Sequence, residues 1–112
     1  MNPVDLLVHG GTVIDGSGGA GRRADVAVAD GRIVAVEPGL QVQAAERIDA
    51  TGLVVAPGFI DIHSHSDYTL LVDPRAVSAV AQGVTLEVLG NCGFGCAPIK
   101  PALAAEALSA VH

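Results

Sequence analysis

The chain has 112 residues, a formal net charge of −6 and an apolar fraction of 50%. That length suits one domain and falls short of two ordinary ones, while the apolar content excludes a disordered chain, which lacks surface to bury. The six basic residues are scattered rather than clustered, so nothing here would grip a phosphate backbone, and nucleic acid is not expected as a partner.

The start, MNPVDLLVHGG, has Asp5 where a secretory leader would carry Lys or Arg. No apolar run approaches the roughly 18 residues needed to cross a bilayer. Two cysteines, Cys92 and Cys96, are too few for the disulfide scaffold of a small secreted protein. A soluble, cytoplasmic protein with no membrane attachment is expected. Aromatics are limited to Phe59, Tyr68 and Phe94, so the core must be built from Val, Ala, Leu and Ile.

Residues 4–56 read as β-structure. Val4 to Val8 and Thr12 to Ile14 are strand candidates separated by Gly10-Gly11. Within Ala24 to Val36, the Asp30-Gly31 pair between alternating runs predicts a hairpin, because a type I′ turn needs positive φ at both central residues. Leu53 to Ala56 is a further strand, entered by a turn at Ala50-Thr51-Gly52 and stopped by Pro57-Gly58. Residues 1–56 are therefore expected to form a small β-sheet portion.

The pattern changes at residue 57. Phe59 to His65 reads as a strand that turns from apolar to polar. Asp73-Pro74 predicts a helix start, with Asp73 as N-cap, Pro74 at the first helical position and Gly83 closing the helix. Val84 to Leu89 is a second strand, and Pro101 to Val111 an Ala- and Leu-rich helix candidate. Strand and helix in alternation predict parallel βα units. Two units do not close a barrel, so both strands should expose apolar surface that neighbouring strands would cover.

Gly16-Ser17-Gly18-Gly19-Ala20-Gly21 has the spacing GxGxxG. A dinucleotide site needs a helix to open at once, so that its N-terminus faces the pyrophosphate. The following RRADVAVADGRIVAV alternates with period two, so a plain Gly-rich loop is expected. The absence of a Lys-Ser or Lys-Thr pair after it removes the P-loop reading.

The chemistry-bearing stretch is Asp61-Ile62-His63-Ser64-His65-Ser66-Asp67. Residues two apart in a strand share a face, so His63 and His65 would project together, and imidazole nitrogen is a common zinc ligand. Asp61 and Asp67 could ligate or hold an imidazole N–H. Two surface histidines on an exposed edge strand would give the same spacing. The apolar run before them argues for burial, and in parallel α/β architectures metals gather at the C-terminal ends of strands.

Cys92 follows the second strand by three residues, amid glycines at 90, 93 and 95 that let the backbone bend sharply. Adjacent strand ends in a sheet lie about 5 Å apart, so a Cys92 thiolate could share an ion with the histidines. A buried apolar Cys92, or a Cys92–Cys96 disulfide, would also account for it. Glu87 is unusual at a buried strand position and needs a partner.

At this point APGFIDIHSHSD resembles the first metal-binding strand of the amidohydrolase superfamily, and GNCGFGCAPI resembles the N-acyl-D-amino-acid deacylases, or D-aminoacylases. The opening VHGGTVIDGSGGAGRRADVAVADGRIVAV is also similar to that family's N-terminal β-domain, so the likeness runs from about Val4 to about Ile99. The resemblance implies an α/β fold: a small β-sandwich portion over 1–56, then over 57–112 the start of a metal-dependent (β/α)8 TIM-type barrel, incomplete in this chain. It implies metal ligation by His63, His65 and Cys92, the cysteine standing where most relatives place a carboxylated lysine. It further implies one or two Zn2+ ions and zinc-dependent hydrolysis of an N-acyl-D-amino acid, a small-molecule substrate, to a carboxylate and a D-amino acid. The family's later histidines, catalytic aspartate and substrate-binding basic residue have no counterpart up to His112, so catalytic residues are not assigned and the chain alone is expected to be inactive.

His9 and His112 match no ligand position of the family, and Cys96 stands where a small residue is expected. Hydantoinase, dihydroorotase or dipeptidase specificity remains open within the superfamily, with GNCG favouring the deacylase. A reading of another class, a small non-catalytic zinc module, would close a tetrahedral site with His63, His65, Cys92 and Cys96.

Overall fold

The computed structural model describes residues 2–93, Gly95, Lys100 and Leu103. It divides into two compact units, Met1–Pro57 and Gly58–His112.

The first unit is a five-stranded mixed sheet. Strands β1 (Val4–Val13), β2 (Arg22–Ala29), β3 (Arg32–Glu37) and β4 (Ala44–Asp49) run in the order β3-β2-β1-β4, and β5 (Val54–Val55) also pairs with β1. The Asp30-Gly31 hairpin forms as expected, with φ of 51° and 69° at its two central residues. Its turn is tied back by the Asp30 N–H, which donates to Asp5 Oδ2 at 2.7 Å. After the Gly-rich loop the chain enters β2 rather than a helix, which agrees with a plain loop and removes the dinucleotide reading.

Gly10-Gly11 does not separate two strands. Both lie inside β1, at a bulge: Val8 pairs Val26 and Gly11 pairs Ala24, so β1 carries one residue more than β2 between the two pairs. Gly10 has φ +76°, and a side chain there would meet Thr51 Oγ1 at 2.6 Å. Only glycine suits such a bulge without strain. The extra residue also resets the alternation. Val8 and Val13, five residues apart, both pack with the buried Val13–Ala24–Val26 cluster, while Val4, Leu7 and Ala27 form a second cluster.

Strand β4 was not legible in advance. It is polar and mostly exposed, and its place depends on parallel pairing to β1, from Val4 opposite Ala44 to His9 opposite Asp49. The expected strand at Leu53 to Ala56 is shorter, Val54–Val55.

The second unit has β6 (Phe59–Asp61) and β7 (Val84–Glu87) paired in parallel, joined through α1 (Thr69–Val72) and α2 (Val77–Val80). A parallel pair needs such a crossover. The helices differ from the expected one. Asp73 ends α1, and Ala76, in left-handed geometry at φ 46°, precedes α2. Asp73 does accept the Arg75 N–H at 3.1 Å, the bond an N-cap makes, and pairs with the Arg75 guanidinium at 2.8 Å, but the left-handed Ala76 stops a helix from opening there. Gly83, at φ 83°, does close α2's turn, its N–H donating to Val80 O. The cross-strand partners Ile60 and Leu86 remain 60% and 55% exposed, the apolar exposure expected of strands without neighbours. The helix candidate at Pro101 to Val111 lies outside the described residues, except for Leu103.

Candidate metal centre

Strand β6 stops at Asp61, four residues before the expected end, and the cause is local. Asp61 Oδ1 accepts the His63 N–H at 3.0 Å, a turn that draws the backbone out of the ladder. His63 and His65 therefore do not share a strand face, as alternation had suggested. They sit on the loop beyond the strand tip, with ring centroids 5.4 Å apart and planes inclined at 55°. Both are exposed.

Pairing with the segment after β7 continues past the end of β6. The Val88 N–H donates to Asp61 O at 2.8 Å, and the Ser64 N–H donates to Val88 O at 3.3 Å. This keeps the histidine loop alongside the segment after β7, where Asn91–Gly93 form a 3-10 turn. Inside it Cys92 has φ 56° and ψ 20°, and the flanking Gly90 and Gly93 have φ 84° and 80°. Cys92 Sγ then lies 3.3 Å from His63 Nε2.

One potential ligand atom from each of His63, His65 and Cys92 falls within 4.8 Å of the other two. Zinc bonds of about 2.0–2.3 Å to N and S place ligand atoms in a tetrahedral shell some 3.3–3.8 Å apart, so the three donors fit a shared cation after small side-chain adjustments. Cys92 is a free, exposed thiol, not the buried small hydrophobe that was the bland expectation. Cys96 lies outside the described residues.

The nearby carboxylates have other partners. Asp61 turns toward the His63 backbone. Asp67 is buried and accepts the Gly90 N–H at 3.0 and 3.2 Å. Glu87 finds its partner in Ser64, whose hydroxyl donates to Oε2 at 3.0 Å and accepts the Ser66 N–H at 3.1 Å. Ser64 and Asn91 went unrecognised in the sequence. Their one signal was position, between the two histidines and beside the cysteine.

The comparisons with known proteins identify the family. The amidohydrolase family profile matches residues 46–104, more than half of the chain, and the chain belongs to that family. Within it, a D-aminoacylase from Alcaligenes xylosoxydans xylosoxydans is 50% identical over 100 residues, covering 89% of this chain and 21% of that enzyme. The crystal structure of an N-acyl-D-glutamate deacylase from Bordetella bronchiseptica, complexed with zinc and a phosphonate mimic of the tetrahedral intermediate, matches with a TM-score of 0.82 at 43% identity, over 87% of this chain and 20% of that one. A D-aminoacylase structure concerned with a binuclear metal centre, with one-metal activation and second-metal attenuation, matches at 0.82 and 45% identity, over 94% and 23%. The chain thus spans about a fifth of the length of these relatives.

Proposed function

We propose that this chain contributes the first metal ligands of a zinc-dependent amidohydrolase that cleaves the amide of N-acyl-D-amino acids, releasing a carboxylate and a D-amino acid. The observation that carries the reading is the convergence of His63, His65 and Cys92 at adjacent loop ends. Its specificity rests on the named relatives, which are D-aminoacylases and N-acyl-D-amino-acid deacylases at 43–50% identity.

In this reading residues 1–56 are part of a β-sandwich, and residues 57–112 contribute the first βα units of a (β/α)8 barrel. The parallel β6–β7 pair with a helical crossover supports that placement. His63, His65 and Cys92 would hold one or two zinc ions. When bound, zinc polarises a carbonyl and lowers the pKa of water, the two requirements of amide hydrolysis near neutral pH. The chain's own residues supply the holding. The imidazoles offer neutral nitrogen, the sulfur offers a charge-bearing donor, and Asp61 orients the His63 backbone. All three donors are exposed, so a small substrate can reach them. No described helix is long and apolar enough to cross a membrane.

The test is zinc retention after gel filtration of the chain and its Cys92→Ser, His63→Ala and Cys96→Ser variants. Cys92→Ser and His63→Ala are expected to weaken zinc binding at least about tenfold, with Cys96→Ser unchanged. Loss in Cys96→Ser with retention in Cys92→Ser would replace the hydrolase reading by a closed structural site.

A further inference from the structure

In the second unit, the described residues withdrawn furthest from solvent are polar: Ser64 at 7% exposure and Asp67 at 4%. No described apolar side chain of that unit is buried as deeply. A carboxylate in such a place is costly unless hydrogen bonds replace its water. Asp67 directs both oxygens at one group, the Gly90 N–H, at 3.0 and 3.2 Å. Gly90 is two residues before Cys92, and Cys92 holds a left-handed backbone that L-residues avoid. Strain of that kind persists only where surrounding contacts over-determine it. On the other side of the turn the Asn91 amide donates to Val88 O at 2.8 Å and reaches Ser64 O at 3.5 Å.

We propose that Asp67 is a positioning residue: its clamp on the Gly90 N–H, seconded by the Asn91 amide, holds Cys92 in the left-handed conformation that carries its sulfur to His63. The metal consequence of this clamp rests on the reading of Cys92 as a ligand, whereas the clamp itself does not. An aspartate two residues beyond a histidine pair thus acts on the third donor, through the backbone of the neighbouring loop.

The experiment uses the full chain in a Cys96→Ser background, where Cys92 is the one thiol. Without metal, the Cys92 Cα and Cβ chemical shifts report its backbone conformation, and amide exchange reports protection of the Gly90 N–H. With cobalt, the thiolate-to-cobalt charge-transfer absorption reports sulfur ligation. Asp67→Ala is expected to abolish Gly90 protection, move the Cys92 shifts toward ordinary right-handed or extended values, and lower cobalt affinity about ten- to a hundredfold. Asp67→Asn keeps one carbonyl oxygen for the N–H and should retain the Cys92 shifts, with affinity within about threefold of the parent. Unchanged Cys92 shifts and Gly90 protection in Asp67→Ala would overturn the clamp. If the parent gives no thiolate absorption while Asp67→Ala still releases Gly90 and Cys92, the metal reading fails and the clamp stands. Should Asp67→Ala unfold the unit, seen as lost protection of the Phe59 amide, Asn91→Ala carries the test, and no movement of the Cys92 shifts in it would overturn the proposal.

Discussion

The Asp25 carboxylate offers the sharpest test of how the first unit is held together. It is 8% exposed and accepts two backbone donors, the Gly10 N–H and the Leu40 N–H, both at 2.8 Å. The Gly10 donor belongs to the β1 bulge, and the Leu40 donor to the connection after β3. Asp25→Ala strands both donors in a partly buried setting. At about 1–3 kcal/mol for each unsatisfied group, and with some water able to reach them, we expect a loss of about 2–4 kcal/mol. A unit of this size has about 3–9 kcal/mol in all, so the loss is severe. Two units need not unfold in one step, which makes native-state amide exchange the suitable assay. Exchange at Leu7 and Ala27, both fully buried, should speed up about 30- to 700-fold, at tenfold per 1.4 kcal/mol. Asp25→Asn, with one oxygen left, should fall about midway. The same side chain predicts a pH dependence. The bond from Gly10, opposed by burial and reinforced by that from Leu40, holds its pKa below the ordinary 3.8. A depressed carboxylate stabilises the fold above its unfolded value and loses that contribution as pH falls through the folded one. The gap between parent and Asp25→Ala, normalised to intrinsic exchange, should therefore be constant above about pH 5 and narrow below about pH 4. A change under about threefold at neutral pH, or a gap that widens on acidification, would refute the reasoning.

Three further outcomes follow from packing and pairing. Gly10→Ala combines a left-handed φ with a Cβ placed 2.6 Å from Thr51 Oγ1; it should cost about 1–3 kcal/mol, read at the same Leu7 and Ala27 amides. A side chain at Gly58 would run into Thr85, so Gly58→Ala should weaken protection of the Phe59 N–H, which donates to Gly83 O at 2.8 Å, and adding Thr85→Ala should restore part of it. Glu87→Ala releases the Ser64 hydroxyl and should lower zinc affinity about tenfold, whereas Glu87→Gln, which keeps an acceptor, should stay near the parent in a chelator competition.

What could be seen in the sequence was whatever depends on neighbours along the chain. Asp30-Gly31 announces its hairpin because positive φ at two consecutive residues is a local demand. The histidine pair and Cys92 are identifiable as residues, but the reason they meet is not local. Spacing suggests alternation along a strand, whereas the structure uses a turn at Asp61 and a left-handed cysteine. Strand β4 was invisible because AAERID has no apolar alternation, and only its partner in β1 makes it a strand. Asp73-Pro74 has the chemistry of a helix start, and Asp73 accepts the Arg75 N–H, yet the left-handed Ala76 breaks the run and α2 opens only after it. Gly10-Gly11 reads as a break in the sequence, since an inserted residue and a strand end look alike until the partner register is known.

The placing of β1 has a consequence for biosynthesis. One edge of β1 is satisfied early, by β2 shortly after it in the chain, while the other waits for β4 and β5, with Val4 opposite Ala44 and Thr12 opposite Val54. At about 5–20 residues per second on the ribosome, a newly emerged hairpin carries an open flank for about one to five seconds. Its unpaired backbone N–H and C=O groups are then available to any other nascent chain of the same kind, so crowded polysomes are where this sheet is most exposed to mispairing.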